Sequence, residues 1–300
     1  MSGRTARAYA MVAASFLLAG VSGTLVSWTT APESVLLVLR FAIATLAIGA
    51  VFGRRRRLAG LLDRRLWPRL LLMGAFDATT LLLYFVAIRE AGVAVATFCL
   101  FVQPVWVTLL APRLLGSKTE GFVYVGVGLA LTGLVILLIP AVLGDGVHVS
   151  ALGLAAGFAS GWTMAGFALM AKDIARRVES IAMVLVQCAL DGLFLVPLAL
   201  WQMLASGYTL TSRDLMVSLI MGLLVTAVGY TLWMEGMRWV RVQHSAMLGF
   251  LVPVAAPVFA WVLLGQTIAG WTVVGGAFIL AAGALVVLRG DESVEGEPPV

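Results

Sequence analysis

Apolar residues follow one another for about twenty positions at a time along most of this chain. Short clusters of arginine, lysine, glycine or proline separate the stretches. A helix needs about 20 mostly apolar residues to cross a hydrocarbon layer about 30 Å thick. Ten stretches meet that length: 8–27, 34–53, 69–88, 93–112, 120–140, 150–171, 180–204, 214–236, 243–264 and 270–288. None alternates apolar and polar residues with period two, which argues against membrane-spanning strands. The pattern predicts an all-α integral membrane protein with ten transmembrane helices. The first stretch follows Arg4 and Arg7 as a secretory leader would. Its end at Val21-Ser22-Gly23 is only loosely like a cleavage site, so it counts as a span.

Composition agrees. Of 300 residues, 61% are hydrophobic and 12% charged, against about 45–50% and about 25% in ordinary soluble domains. No soluble fold of this size could bury so much apolar surface, and no polar stretch is long enough for a soluble domain. The net charge of +5 does not imply nucleic acid, because the arginines are not interleaved with aromatics on one face. They cluster on one side. With the N-terminus inside, 17 of the 20 lysines and arginines fall in inner segments, which predicts cytoplasmic termini. The end of the chain, 289–300, is acidic and proline-bearing and is expected to be a disordered cytoplasmic tail. Cys99 and Cys188 lie inside apolar stretches without metal-ligand spacing and read as small buried residues.

Two stretches, "TFCLFVQPVWVTLLAPRLLG" and "AMLGFLVPVAAPVFAWVLLG", each place a proline where a helix interior is expected. An interior proline costs about 3 kcal/mol in a soluble helix. The two stretches are related. A shift of 149 positions pairs Arg89 with Arg238, Pro104 with Pro253, Gly116 with Gly265, Gly121 with Gly270 and Gly126 with Gly275. Matches at such special residue types indicate an internal duplication. Each half, 8–140 and 150–288, then holds five spans, and an odd number makes the second half enter from the opposite side. Inverted five-plus-five repeats around a central cavity are a recurrent architecture of secondary transporters. Pro104 and Pro253 become candidate hinges at equivalent places, with plain packing kinks as the alternative.

These features together resemble the EamA family of the drug/metabolite transporter superfamily. The resemblance covers about residues 8–288. It rests on the five-plus-five layout, on Arg40 after "VLLVLR", on the two prolines, and on the glycine-bearing stretches that begin at Leu114 and Leu263. The family often has Glu just after the glycine that ends spans four and nine; here Ser117 and Gln266 stand there. The resemblance implies export of small metabolites across the bacterial inner membrane. Overall similarity is greatest to the aromatic amino acid exporters of that family. Drug, threonine-like or nucleotide-related metabolites remain the alternative, although an anionic nucleotide would want several mid-depth cations and only Arg40 qualifies.

Charged groups in a bilayer are costly, about 2.5–3.5 kcal/mol at a helix centre, so each needs a reason. Arg40 could hold a substrate carboxylate by a bidentate contact or pair structurally with Asp191. Asp77 shares a helical stripe with Thr80, Tyr84 and Ile88. It could hold an amino group, exchange a proton, or serve as a hydrogen-bonded packing residue. An aromatic substrate would want an apolar pocket with few polar anchors. Tyr84, Phe98, Phe101, Trp162, Tyr230, Trp233 and Phe250 are the candidate ring contacts, though most aromatics in membrane proteins pack or anchor. Gly153, Gly157 and Gly161 are spaced for close helix contact. His148 and His244 are expected at span ends, solvated or capping.

Other classes find little support. There is no H-E-x-x-H or G-x-S-x-G pattern for an intramembrane enzyme, and no nucleotide-binding loop for ATP-driven transport. The expected partners are a small-molecule substrate and the lipid bilayer, with no nucleic acid, no cofactor and no obligatory protein partner.

Overall fold

The computed structural model describes residues 3–53, 64–144 and 150–290. Arg54 to Arg57, His148 and the expected tail from 291 onward lie outside the described residues. The described chain is helical: α1 (Gly3–Gly20), α2 (Ser22–Val26), α3 (Glu33–Gly53), α4 (Trp67–Leu100), α5 (Gln103–Leu115), α6 (Gly121–Gly144) and α7 (Ala151–Ala175) come first. They are followed by α8 (Ser180–Ser206), α9 (Ser212–Ile220), α10 (Gly229–Met237), α11 (Val242–Leu248), α12 (Leu251–Leu264) and α13 (Gly270–Arg289). Met221–Val228, between α9 and α10, continues the helix with wider, i to i+5 hydrogen bonding. Nine helical segments among the described residues are long and apolar enough to cross a membrane. Their outer faces carry large exposed aliphatics, such as Leu46, Leu204 and Leu288. In water such a belt would aggregate; in lipid it is solvated.

The stretches expected at 69–88 and 93–112 are divided at Gly92, inside the gap left between them. They run along α4, whose 34 residues exceed what a bilayer crossing needs, and on into α5. Gly92, with φ 79° and ψ 161°, is non-helical and divides α4 into two arms. A side chain would resist that conformation. The second arm ends at Leu100, and the helix resumes at Gln103 after Phe101 and Val102. A matching break lies 148 positions on, where α11 ends at Leu248 and α12 begins at Leu251. Both resumed helices stop at a glycine of φ 66°, Gly116 and Gly265, in the left-handed cap that terminates helices.

This corrects the reading of Pro104 and Pro253 as helix-interior residues. Each stands in the first turn of a resumed helix, α5 or α12, where the backbone N–H has no intrahelical acceptor to lose. The expected penalty is avoided because the helix has already stopped.

Packing follows pairs. α3 lies along α8 and α6 along α13; α4 lies along α7, while α1 packs on α10, α11 and α12. Small residues let backbones approach. A methyl added at Gly157 would meet Cys99 Cβ at 2.7 Å, and one at Gly161 would meet the Cys99 carbonyl oxygen at 2.6 Å. A methyl at Gly275 would collide with the Gly133 carbonyl and with Leu137 N at 2.6 Å. Gly74 sits against Leu190 of α8, and Gly222, 148 positions later, against Arg40 and Ile43 of α3.

Two stability outcomes follow from this geometry. Pro104→Ala and Pro253→Ala should each shift unfolding free energy by under about 1 kcal/mol, the range of compatible proline changes. Gly275→Val should destabilise by about 1–3 kcal/mol or more through overpacking of α6 against α13. Thermal unfolding in detergent reads both.

Candidate functional site

Contacts define two ends of the bundle. At the first, where both described chain ends lie, Arg69 bonds Asp173 at 2.9 Å, Ser180 donates to Glu235 at 2.6 Å, and Arg4 stacks on Trp239. At the far end Ser150 donates to Glu90 at 3.0 Å, while Thr29 and Tyr208 donate to Asp214.

Between the ends lies a cavity of about 70 Å³, lined by Ser15, Phe16 and Ala19 of α1, Met164 and Phe167 of α7, and Val225, Gly229, Tyr230 and Trp233. α1 and α7 contribute matching positions, since Ser15 and Met164 stand 149 apart. The walls are aromatic. Phe167 stacks on Trp233 with ring centres 5.4 Å apart, and Tyr230 leans on Phe41 at 6.5 Å. Ligand pockets usually measure about 300–1,000 Å³, so this cavity is constricted in the present conformation. Farther along α1 and α2, toward the far end, a larger cavity of about 410 Å³ opens. Its walls include Gly23, Thr24, Thr97, Leu137, Pro253 and Gln266.

Behind Tyr230 sits a buried polar cluster. Arg40 lies 5.9 Å from the Tyr230 ring centre, and its Nε donates to the Thr226 hydroxyl. Asp77 and Asp191 are both buried, on α4 and α8. Gln187 Nε2 donates to Asp77 at 3.0 Å and to both Asp191 oxygens at 2.9 and 2.8 Å. The Arg40 charge acts on both carboxyls.

The first end is closed by a denser network. Arg241 pairs with Glu120 and donates to the Lys118 carbonyl at 3.0 Å. His244, fully buried, bonds the Tyr9 hydroxyl through Nδ1 and approaches Glu120 at 3.4 Å through Nε2. Gln243 donates to Ser117 at 2.9 Å and to Thr119 at 3.1 Å. Lys172 caps the end of α10 through the carbonyls of Met237 and Val240, at 2.6 and 2.7 Å. Trp233 donates to Ser245 at 3.0 Å and so ties the cavity wall to this closure. Burial pulls the Glu120 carboxyl upward. The hydrogen bonds from His244 and its own backbone, with the charges of His244 and Arg241, outweigh burial and hold it below its ordinary value.

The candidates from sequence divide accordingly. Tyr230 and Trp233 line the mid-depth cavity, and Arg40 and Asp77 stand in the cluster behind it. Phe101 and Phe250 meet each other at 5.8 Å, at the two helix breaks, and Phe98 packs beside the main core. Two are not brought in. Tyr84 turns away from the partners of Asp77 and bonds Thr97 at 3.0 Å. Trp162 is 44% exposed and packs edge-on against Trp106, outside the cavity. His244 is buried rather than solvated, because Tyr9, Phe122 and Glu120 enclose it. Sequence reading missed Phe16, Phe167 and the bridging role of Gln187. The 149-residue shift does not single out the first two, since it pairs Phe16 with Ala165 and Phe167 with Leu18.

A helical membrane bundle with an aromatic-walled cavity between its ends suits a membrane transporter. The chain belongs to the EamA-like transporter family, whose pattern matches residues 6–139 and 151–288. It is similar to the uncharacterized transporter YwfM of Bacillus subtilis, with 27% identity over 96% of this chain and 95% of that one. An uncharacterized transporter of Archaeoglobus fulgidus is 26% identical over 73% of this chain and 76% of its own. One crystal structure shares the fold with a TM-score of 0.78 at 19% identity, covering 94% of this chain and 97% of that one.

Glu120→Gln should loosen the closed end and lower the unfolding temperature at neutral pH. Because the Glu120 carboxyl is held below its ordinary value of about 4.3, its stabilisation is complete above that value. It is lost as pH falls through the lowered one. The difference between parent and variant should therefore shrink on acidification, as a detergent melting series between neutral and acid pH would read.

Proposed function

We propose that this protein exports aromatic or other hydrophobic amino acids by alternating access between two inverted five-helix halves, 8–140 and 150–288. The observation that carries the reading is the cavity walled by Phe16, Phe167, Tyr230 and Trp233, with a single cation, Arg40, behind it. Flat apolar walls suit an indole or phenyl face, and one guanidinium suits one carboxylate. One crossing by the arm of α4 before Gly92, and another by its short second arm continued through α5, make ten spans from the nine helical segments. The family pattern falling once in each half supports the duplication, as do the matching breaks at Phe101–Val102 and Gly249–Phe250.

The charge asymmetry puts the termini in the cytoplasm of a cell whose inner membrane holds the protein. The polar closure around His244 and Glu120 is then the cytoplasmic gate, and the 410 Å³ cavity opens outward. The breaks beside Pro104 and Pro253 are the hinges. Short turn-type bonds, such as Val102 N–H to the Cys99 carbonyl at 3.3 Å and Phe250 N–H to the Met247 carbonyl at 3.1 Å, replace regular helical bonding there, and each proline keeps its helix from growing back across the break. Rocking opens the cytoplasmic gate, widens the cavity to substrate size and closes the far end.

The test is flux of labelled tryptophan and phenylalanine in proteoliposomes, with threonine and a cationic dye for comparison. Selective aromatic flux is expected. Trp233→Ala should lower it about tenfold, equivalent to about 1.4 kcal/mol, while Trp261→Ala, on the exposed surface of α12, should not. Flux of threonine or dye without aromatic flux would overturn the substrate assignment.

A further inference from the structure

The Asp77–Gln187–Asp191 cluster holds more acceptors than donors. An amide group has two hydrogens, yet Gln187 Nε2 faces three carboxylate oxygens at 2.8, 2.9 and 3.0 Å. Its other atom, Oε1, is buried without a hydrogen-bond partner. Asp77 and Asp191 are thus held together on one amide nitrogen. Two charged carboxylates so placed repel each other; a carboxylic acid beside a carboxylate does not. The remaining groups facing the pair are Arg40 from α3, Cys188 on α8 and Tyr230 from α10. Only Arg40 among them brings a charge, and its Nε is engaged by Thr226. Two carboxylates against one guanidinium leave a net negative charge inside the membrane. One proton removes it and supplies the missing donor.

We infer that Asp77 and Asp191 form a proton-binding site that couples transport to proton movement. The coupling follows from placement, and rests on the alternating-access reading above. Asp77 belongs to one half and Gln187 with Asp191 to the other, so rocking separates the carboxyls. Together they share one proton; apart, each is solvated and loses the partner that held it. Proton affinity therefore differs between the two conformations, which is the condition for a gradient to drive the cycle. No bond other than O–H forms or breaks. The proton enters from the side facing the closed pair's assembly and leaves where the pair comes apart.

The test uses the full chain carrying aspartate labelled with carbon-13 at the side-chain carboxyl. Infrared difference spectra at neutral pH should show the carbonyl stretch of a protonated, label-shifted carboxylic acid. Asp77→Asn and Asp191→Asn should each abolish that band. In proteoliposomes, the ratio of tryptophan flux with an imposed pH gradient to flux without one should exceed about tenfold for the parent and fall to about one in each variant. Absence of the labelled band in the parent protein would overturn the site, and needs no variant to fold. A band that survives in both variants, or a gradient ratio unchanged by them, would overturn it as well. Should the parent carry no tryptophan, the substrate reading fails, and the infrared band still decides the proton site.

Discussion

Every backbone N–H and C=O within the hydrocarbon layer must find a partner inside the protein. That constraint organises this fold. It forces helices through nearly all of the described chain. It also restricts where a helix can stop, because a break exposes polar groups that lipid cannot satisfy. The two breaks, at Phe101–Val102 and Gly249–Phe250, therefore face each other inside the bundle, with Phe101 and Phe250 in ring contact. At both breaks the backbone N–H groups turn back onto carbonyls of the preceding helix, as Val102 does to Cys99 and Phe250 to Met247, so the interruptions stay satisfied inside the bundle. A transport path can be built there and nowhere on the lipid-facing surface.

The same constraint explains what the sequence showed plainly. Long apolar stretches must be helices, so most of their limits were readable to within a few residues. The breaks were not. A proline in an apolar stretch looks the same whether the helix bends through it or has just restarted, and only the position of Phe101 and Val102 separates the cases. Gly92 is different, because it falls in the gap between the stretches 69–88 and 93–112, where a border was expected. Its left-handed conformation is a product of the turn between the two arms of α4.

At the site, charge was legible and shape was not. Arg40, Asp77 and Asp191 stood out because ionised groups are rare in lipid, and all three meet in one cluster. Gln187 did not stand out, being a neutral amide among apolar neighbours, yet it connects α8 to α4. Aromatic side chains were ambiguous for another reason. Lipid, core and cavity all accept a ring, so Trp162 and Trp233 look alike in sequence while one faces outward and the other lines the cavity. His244 was expected to be solvated or capping because it falls at a span end; the loop carrying Glu120 folds over it.

The wide-turned segment Met221–Val228 has a consequence for the two-fold plan. Gly74 and Gly222 match at a step of 148, whereas Pro104 and Pro253 match at 149, so one extra residue lies between in the second copy. A helix turns about 100° per residue, and an inserted residue would swing everything upstream off its packing face. Loosening the hydrogen bonding over this segment absorbs the excess turn and leaves Gly222 on α3 as Gly74 is on α8. The cost of symmetry outside is asymmetry within. Thr226 lies in the loosened segment and Asp77 in a regular helix, so the two halves present different chemistry to the same axis. The two matching stretches thus differ by a single residue's worth of helical phase.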